Sequence, residues 1–306
     1  MKKIYTAEYV SQKHPDKMCD RISDRILEEF LKQDPASRVA IETLGGHGKV
    51  FLVGEITSNG SLLEDDYKKI IAEITGNDTY ELETRIVQQS NEIAQGVDNG
   101  GAGDQGIVIG YACSDNTEML PHEYYLAKSL CTFLYEKYPY DGKTQITLSE
   151  DFEILAIVTS FQNTKTEVLT RDVKEWVREN NLTLASDIKY FINPAGEWNI
   201  GGFDADTGLT GRKIVVDSYG PRVPVGGGAF SGKDWTKVDK SGALYARYIA
   251  QEILKEQSAT AVRVELAYAI GISEAVQAIA YVDGTPISID NFDTSMVGIK
   301  KYINSL

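Results

Sequence analysis

One arrangement of apolar residues occurs three times along this chain, and it limits the fold more than any single motif does. Ile22, Ile26, Leu27, Phe30 and Leu31 form an apolar stripe at helical spacing. Alternating segments around Val39-Ala40-Ile41 and Val50-Phe51-Leu52-Val53 follow, joined by the turn Gly45-Gly46-His47-Gly48, and read as a hairpin. The stripe returns as Leu126, Leu130, Phe133 and Leu134, with strands near Gln145–Leu148 and Ile154–Val158. It returns again as Leu244, Tyr248, Ile249 and Ile253, with strands near Val262–Leu266 and Gln277–Tyr281. A helical segment closes each unit, at about 64–75, 166–180 and 290–304. The period, roughly 100–120 residues, is the size of a compact domain. The fold reading is therefore α+β. Three related domains, 1–95, 104–199 and 201–306, each pack helices on an antiparallel sheet. One face of such a sheet stays free to pack on a neighbour or a second subunit.

The charge pattern narrows the function. Net charge is -14, yet bases stand in glycine-, threonine- and serine-rich turns: Lys143, Arg212, Lys213, Lys233 and Lys237. Two such stretches run from Gly208 to Lys213 and from Gly226 to Asp234. Glycine lets backbone N–H groups approach an anion closely, and Lys and Arg neutralise it. The pattern points to a compact, highly charged anion such as a nucleoside triphosphate. With no basic stripe to offset the acidic balance, nucleic acid is not an expected partner. The apolar runs are too short to span a bilayer, so no membrane is expected either. No secretory signal is visible in the first residues. Cys19, Cys113 and Cys131 have no CxxC spacing and read as reduced thiols of a cytoplasmic protein.

Polar loops precede the three stripes: Ser11 to Lys17, Gly100 to Gly106, and the glycine run ending at Lys233-Asp234. A helix N-terminus favours anions, so three such loops aimed at one centre would form a polar site. Gly227-x-x-x-x-Gly232-Lys233 resembles a phosphate-binding loop, but Asp234 stands where Ser or Thr ligates magnesium. Pro221 and Pro224 also interrupt any strand leading into it. Taken singly, most candidates have a plainer reading. His14 can cap a helix, or act near neutral pH as a cation facing developing negative charge. Asp16 and Asp239 each open a helix and read first as caps. Beside triphosphate-binding bases they become candidate magnesium ligands. Asp104 suits a turn that satisfies its own backbone. Glu42 and Glu55 fit a solvated sheet face. Trp198 follows a Pro/Gly turn and can cover a core or stack on a purine.

These segments closely resemble the S-adenosylmethionine synthetase family. The matching stretches are His14-Pro15-Asp16-Lys17, Gly101 to Gly106, Gly208 to Asp217 and Gly226 to Asp234. Shorter echoes are Ile192 to Gly196, Lys237-Val238-Asp239 and Tyr268 to Gly271, all in family order. The resemblance implies a three-domain fold with pseudo-threefold symmetry. It also implies a homodimer, or a dimer of dimers, with active sites at the subunit interface. The implied substrates are ATP and L-methionine, and the cofactors are Mg2+ and K+. Methionine sulfur would displace the triphosphate, which is then hydrolysed to phosphate and diphosphate. A metal-dependent triphosphate or ATP hydrolase without methionine transfer is the alternative.

By the same resemblance His14 faces the bond to the triphosphate, and Lys143, Arg212, Lys213 and Lys233 clamp that group. Asp141, Glu197, Trp198, Asp206 and Ala229 complete the ATP contacts. Glu55, Gln95, Asp104, Asp206 and Lys237 contact methionine. Asp16 and Asp239 hold magnesium, and Glu42 holds potassium. The chain departs from the family at Lys13, where glycine is usual. The segment from Gln95 to Asp104 is shorter than the usual lid, which implies looser closure. The end at Leu306 is also short of the usual C-terminal segment.

Overall fold

A computed structural model describes residues 3–88 and 100–306. Gln95, and the lid as far as residue 99, lie outside the described residues. In chain order the first elements are β1 (Ile4–Val10), α1 (Pro15–Gln33), β2 (Arg38–Gly46), β3 (Lys49–Thr57), α2 (Glu64–Thr75) and β4 (Glu81–Val87). Then come β5 (Gly106–Cys113), α3 (His122–Lys137), β6 (Gly142–Ser149), β7 (Ile154–Phe161), α4 (Thr166–Glu179) and β8 (Leu184–Ile192). The last are β9 (Gly208–Leu209), α5 (Ile214–Asp217), α6 (Val238–Gln257), β10 (Ala261–Tyr268), β11 (Gln277–Val282), β12 (Thr285–Ile287) and α7 (Met296–Ile303).

The local rules are visible in α1. His14 caps it, Pro15 fits the first turn where no N–H partner is required, and Asp16 complements the positive dipole end. Met18, Ile22, Ile26 and Phe30 recur on one face and are buried against the first sheet. Each fully buried Ile side chain contributes about 2 kcal/mol.

Among the described residues three four-stranded sheets form, ordered β4-β3-β2-β9, β1-β6-β7-β8 and β12-β11-β10-β5. Three cores lie between the sheets and helices α1 and α2, α3 and α4, and α6 and α7 respectively. A smaller cluster of Ala7, Leu120, Tyr124, Tyr219 and Val223 joins parts of the chain distant in sequence.

The repeat is present, with corrections. The sheets are not wholly antiparallel: β4 runs parallel to β3, and β8 parallel to β7. Helices α2 and α4 carry the chain back across the sheet, so the next strand enters in the same direction. The sheets also cross the contiguous blocks. Strand β1 pairs with β6, β5 with β10, and β9 with β2. The glycine loop 100–106 leads into strand β5, an apolar run, and not into a helix. The final helix begins only at Met296, capped by Ser295.

Candidate functional site

One group of candidates gathers at the N-terminus of α1. Asp16 is fully buried and accepts the backbone N–H of Leu209 at 2.9 Å. Its carboxylate also meets Arg212 Nε at 3.2 Å and the Lys213 ammonium. Burial alone would raise its pKa, but Lys213 and the Leu209 N–H outweigh burial and hold it low. Both bases reach one carboxylate because the turn at Gly211, at φ +77°, presents consecutive side chains to α1. Arg212 also donates to Thr207 O at 3.2 Å, which fixes its direction.

His14 corrects the reading of a cation. Its Nδ1 accepts the Asp16 backbone N–H at 3.2 Å. The neutral ring therefore carries its proton on Nε2. Burial, with Lys143 and Lys213 nearby, pushes its pKa down from 6.5 to about 4, and Asp16 and Asp206 only partly oppose this. Near neutral pH the ring is a neutral donor. Lys143 is exposed on β6, opposite Val10. Asp206 is exposed and takes the Thr207 N–H at 2.7 Å.

A second group lies on the other side of the first sheet. Register places Ala40, Glu42 and Leu44 of β2 opposite Glu55, Val53 and Phe51 of β3, all on the face away from α1. An isolated bridge pairs Lys233 with Ala40, which puts Lys233 in the row of Glu55. Lys233 then bonds Asp239 at 2.6 Å, in the first turn of α6. Asp239 faces Gly228 so closely that a Cβ there would lie 2.1 Å from Oδ1. A Cβ on Gly106 would lie 3.6 Å from the same oxygen, so the loops of Asp104 and Asp239 do meet. Asp104 is exposed and accepts the Gln105 N–H, as a turn aspartate does. Lys237 pairs with buried Asp234, whose other bonds go to the Val39 and Thr236 N–H groups.

The two groups meet where a Cβ on Gly211 would lie 2.4 Å from the Ala229 Cβ, and again where the Gly232 N–H bonds Asp24 of α1 at 2.9 Å. Among the described residues the loop bases pair with two separate carboxylates, Arg212 and Lys213 with Asp16 and Lys233 with Asp239. Other candidates are engaged elsewhere. Asp141 is buried, which raises its pKa, and it accepts the Gly202 N–H at 3.0 Å. Glu197 accepts the Thr166 N–H at 2.8 Å and so caps α4. Trp198 beside it is half-buried. Lys13 donates to Ile74 O at 2.6 Å, at the end of α2.

Among the described residues no three His, Cys, Asp or Glu side chains converge as a metal cage. Magnesium commonly takes only one or two carboxylates, with phosphate oxygens and water completing the shell. Asp16 and Asp239, each a carboxylate in the first turn of a helix, match that donor set.

Sequence reasoning missed the role of Lys17, Asp20, Asp24 and Asp217. Lys17 bridges Asp20 at 2.9 Å and Asp217, and these carboxylates raise its pKa against the effect of burial. The spacing of Asp16, Asp20 and Asp24, four residues apart on one helix face, was the available signal.

Three helix-backed sheets that exchange strands, with two basic glycine loops docked on a carboxylate-bearing helix, define an α+β protein of three related units. Comparison with known proteins gives the family. Residues 2–99, 99–198 and 200–303 match the N-terminal, central and C-terminal domains of S-adenosylmethionine synthetase. The chain is 39% identical over 315 residues to S-adenosylmethionine synthase 2 of Rhodospirillum rubrum, covering 92% of this chain and 80% of that one. It superposes on an unusual S-adenosylmethionine synthetase from Campylobacter jejuni with a TM-score of 0.86 at 31% identity, covering 97% of this chain and 88% of that one. The chain belongs to the S-adenosylmethionine synthetase family. It is a methionine adenosyltransferase that makes S-adenosylmethionine from ATP and L-methionine. Nothing among these relatives favours the hydrolase alternative.

Proposed function

We propose that the two residue groups divide the work of this reaction and that they meet across a homodimer interface. The observation that carries the reading is the convergence of Arg212 and Lys213 on Asp16, beside neutral His14, at the start of α1. A thioether is a modest nucleophile, so the barrier must fall by positioning and by stabilising the departing triphosphate. Lys143, Arg212, Lys213 and Lys233 supply the positive charge. His14 offers its Nε2–H to the oxygen leaving C5′, and as a neutral donor it keeps its proton there.

Asp16 and Asp239 hold Mg2+, which would neutralise phosphate oxygens when bound. Glu42 holds K+ from the outer face of the first sheet. Glu55, Asp104, Asp206, Lys237 and Gln95 contact methionine. Trp198, with Glu197, Asp141 and Ala229, borders the nucleotide. The interfacial arrangement is supported by Glu42, Glu55 and Lys233 sharing a sheet face that carries exposed Leu44, Val53, Val87 and Leu209. The sequence blocks 1–95, 104–199 and 201–306 are retained as evolutionary units that each exchange a strand. A cytoplasmic location fits three buried, unpaired thiols.

The test mixes ATP, methionine, Mg2+ and K+ and detects the sulfonium product by mass. Lys233→Ala is expected to lower kcat/KM about 10²-fold, as when one preorganised electrostatic contact is removed, with the protein still folded. Undiminished product formation removes Lys233 from the clamp.

A further inference from the structure

Given the clamp roles assigned above to Arg212, Lys213 and Lys233, we propose that Asp20 and Asp24 of α1 are positioning residues that set the register of both basic loops. One helix face presents Asp16, Asp20 and Asp24 at intervals of four residues, about 6 Å apart along the axis. Each accepts a single backbone N–H from a different point of the two loops. Leu209 donates to Asp16 at 2.9 Å, Gly211 to Asp20 at 2.8 Å, and Gly232 to Asp24 at 2.9 Å. Gly211 directly precedes Arg212 and Lys213, and Gly232 directly precedes Lys233.

The second oxygen of Asp20 takes Lys17 at 2.9 Å, and Lys17 also bonds Asp217 at the end of α5. Segment 211–217, which carries two clamp bases, is thus fixed to α1 at both ends. Ser23 adds hydroxyl contacts to Thr43 and Thr210, each at 2.8 Å, between these anchor points. The apolar face of α1 is a different face, built from Ile22, Ile26 and Phe30. Fold and clamp register are therefore held by separate sides of one helix. A carboxylate accepting a backbone N–H makes a short, strong bond. Losing one leaves the loop free to shift by a fraction of an ångström, and misplacement of about 1 Å can cost on the order of 10²-fold in rate.

The experiment compares Asp20→Ala, Asp20→Asn, Asp24→Ala and Lys213→Ala in the full chain. It measures kcat, KM for each substrate, calorimetric affinity for inorganic tripolyphosphate with Mg2+, and the melting temperature. Asp20→Ala is expected to weaken tripolyphosphate and raise KM for ATP about tenfold, with KM for methionine little changed. Asp20→Asn still offers an oxygen to the Gly211 N–H and should recover most of that affinity. Asp24 is partly exposed, so Asp24→Ala carries the test if Asp20→Ala does not fold, with an expected loss of about threefold or more. Folded variants that bind tripolyphosphate as wild type does overturn the proposal, as does an Asn variant no better than Ala. Lys213→Ala separates the failures: if it too leaves tripolyphosphate affinity unchanged, the clamp assignment is what fails.

Discussion

His14 shows how far one residue's role depends on its surroundings. In the sequence it is one of three histidines and could be a cap, a cation or neither. In the structure it is a cap whose Nδ1 is already used, and its pKa of about 4 leaves it uncharged at neutral pH. This has a stability consequence whose sign is fixed. Above 6.5 the ring is neutral both folded and unfolded. As pH falls from 6.5 to about 4, the unfolded chain takes up a proton that the folded chain refuses, and stability is lost across that window. The full loss is about 3 kcal/mol. His14→Asn preserves a capping oxygen but removes the titration. With Mg2+ chelated, the variant's melting temperature should fall less than wild type's between pH 7 and 4.5. A parallel fall in both proteins would refute the depressed pKa. Asp16, by contrast, was legible as a helix-opening carboxylate with bases expected nearby, because PDK after a histidine is a local signal. Its partners Arg212 and Lys213, almost two hundred positions away, were legible only as a basic turn.

At the scale of elements, β5 and α6 pack backbone against backbone. A Cβ on Gly110 would lie 2.0 Å from the Ala246 carbonyl oxygen, so the strand and helix backbones nearly touch. Gly110→Ala must push them apart and is expected to cost about 3 kcal/mol, read from the urea midpoint. An unchanged midpoint would show that the contact can relax freely. The helices were legible because their apolar residues recur at the helical period, as in α1 and α4. Strands β4 and β8 were not: Glu81–Val87 and Leu184–Ile192 alternate with many exposed positions, a pattern shared with loops. The two-residue strand β9 exists only because Leu44 and Gly45 offer it an edge.

At the scale of the whole molecule, the first sheet has a face that no other described residue covers at Val53 and Val87. Val53 is 50% exposed and Val87 49%, beside Leu44 and Leu209. Exposed Val and Leu side chains set among Glu42, Glu55 and Lys233 on one sheet face suit burial against a second copy of the chain. Val53→Asp should shift the protein toward monomer in sedimentation velocity and cost activity together with assembly. A variant that remains dimeric and active would remove this face from the interface.

Local rules determined the repeat: where helices run, where hairpins turn, and which loops carry cations. Those properties follow from periodicity and from glycine's backbone freedom, which act over a few residues. Tertiary structure alone decided that the first strand leaves its own block, that α1 anchors two loops by three carboxylates, and that His14 is neutral. It also decided that Asp16, Arg212 and Lys213 gather on one side of a sheet and Glu42, Glu55 and Lys233 on the other. Each of these outcomes depends on burial and on contacts between segments far apart in the chain, and a residue's neighbours in sequence carry no record of either.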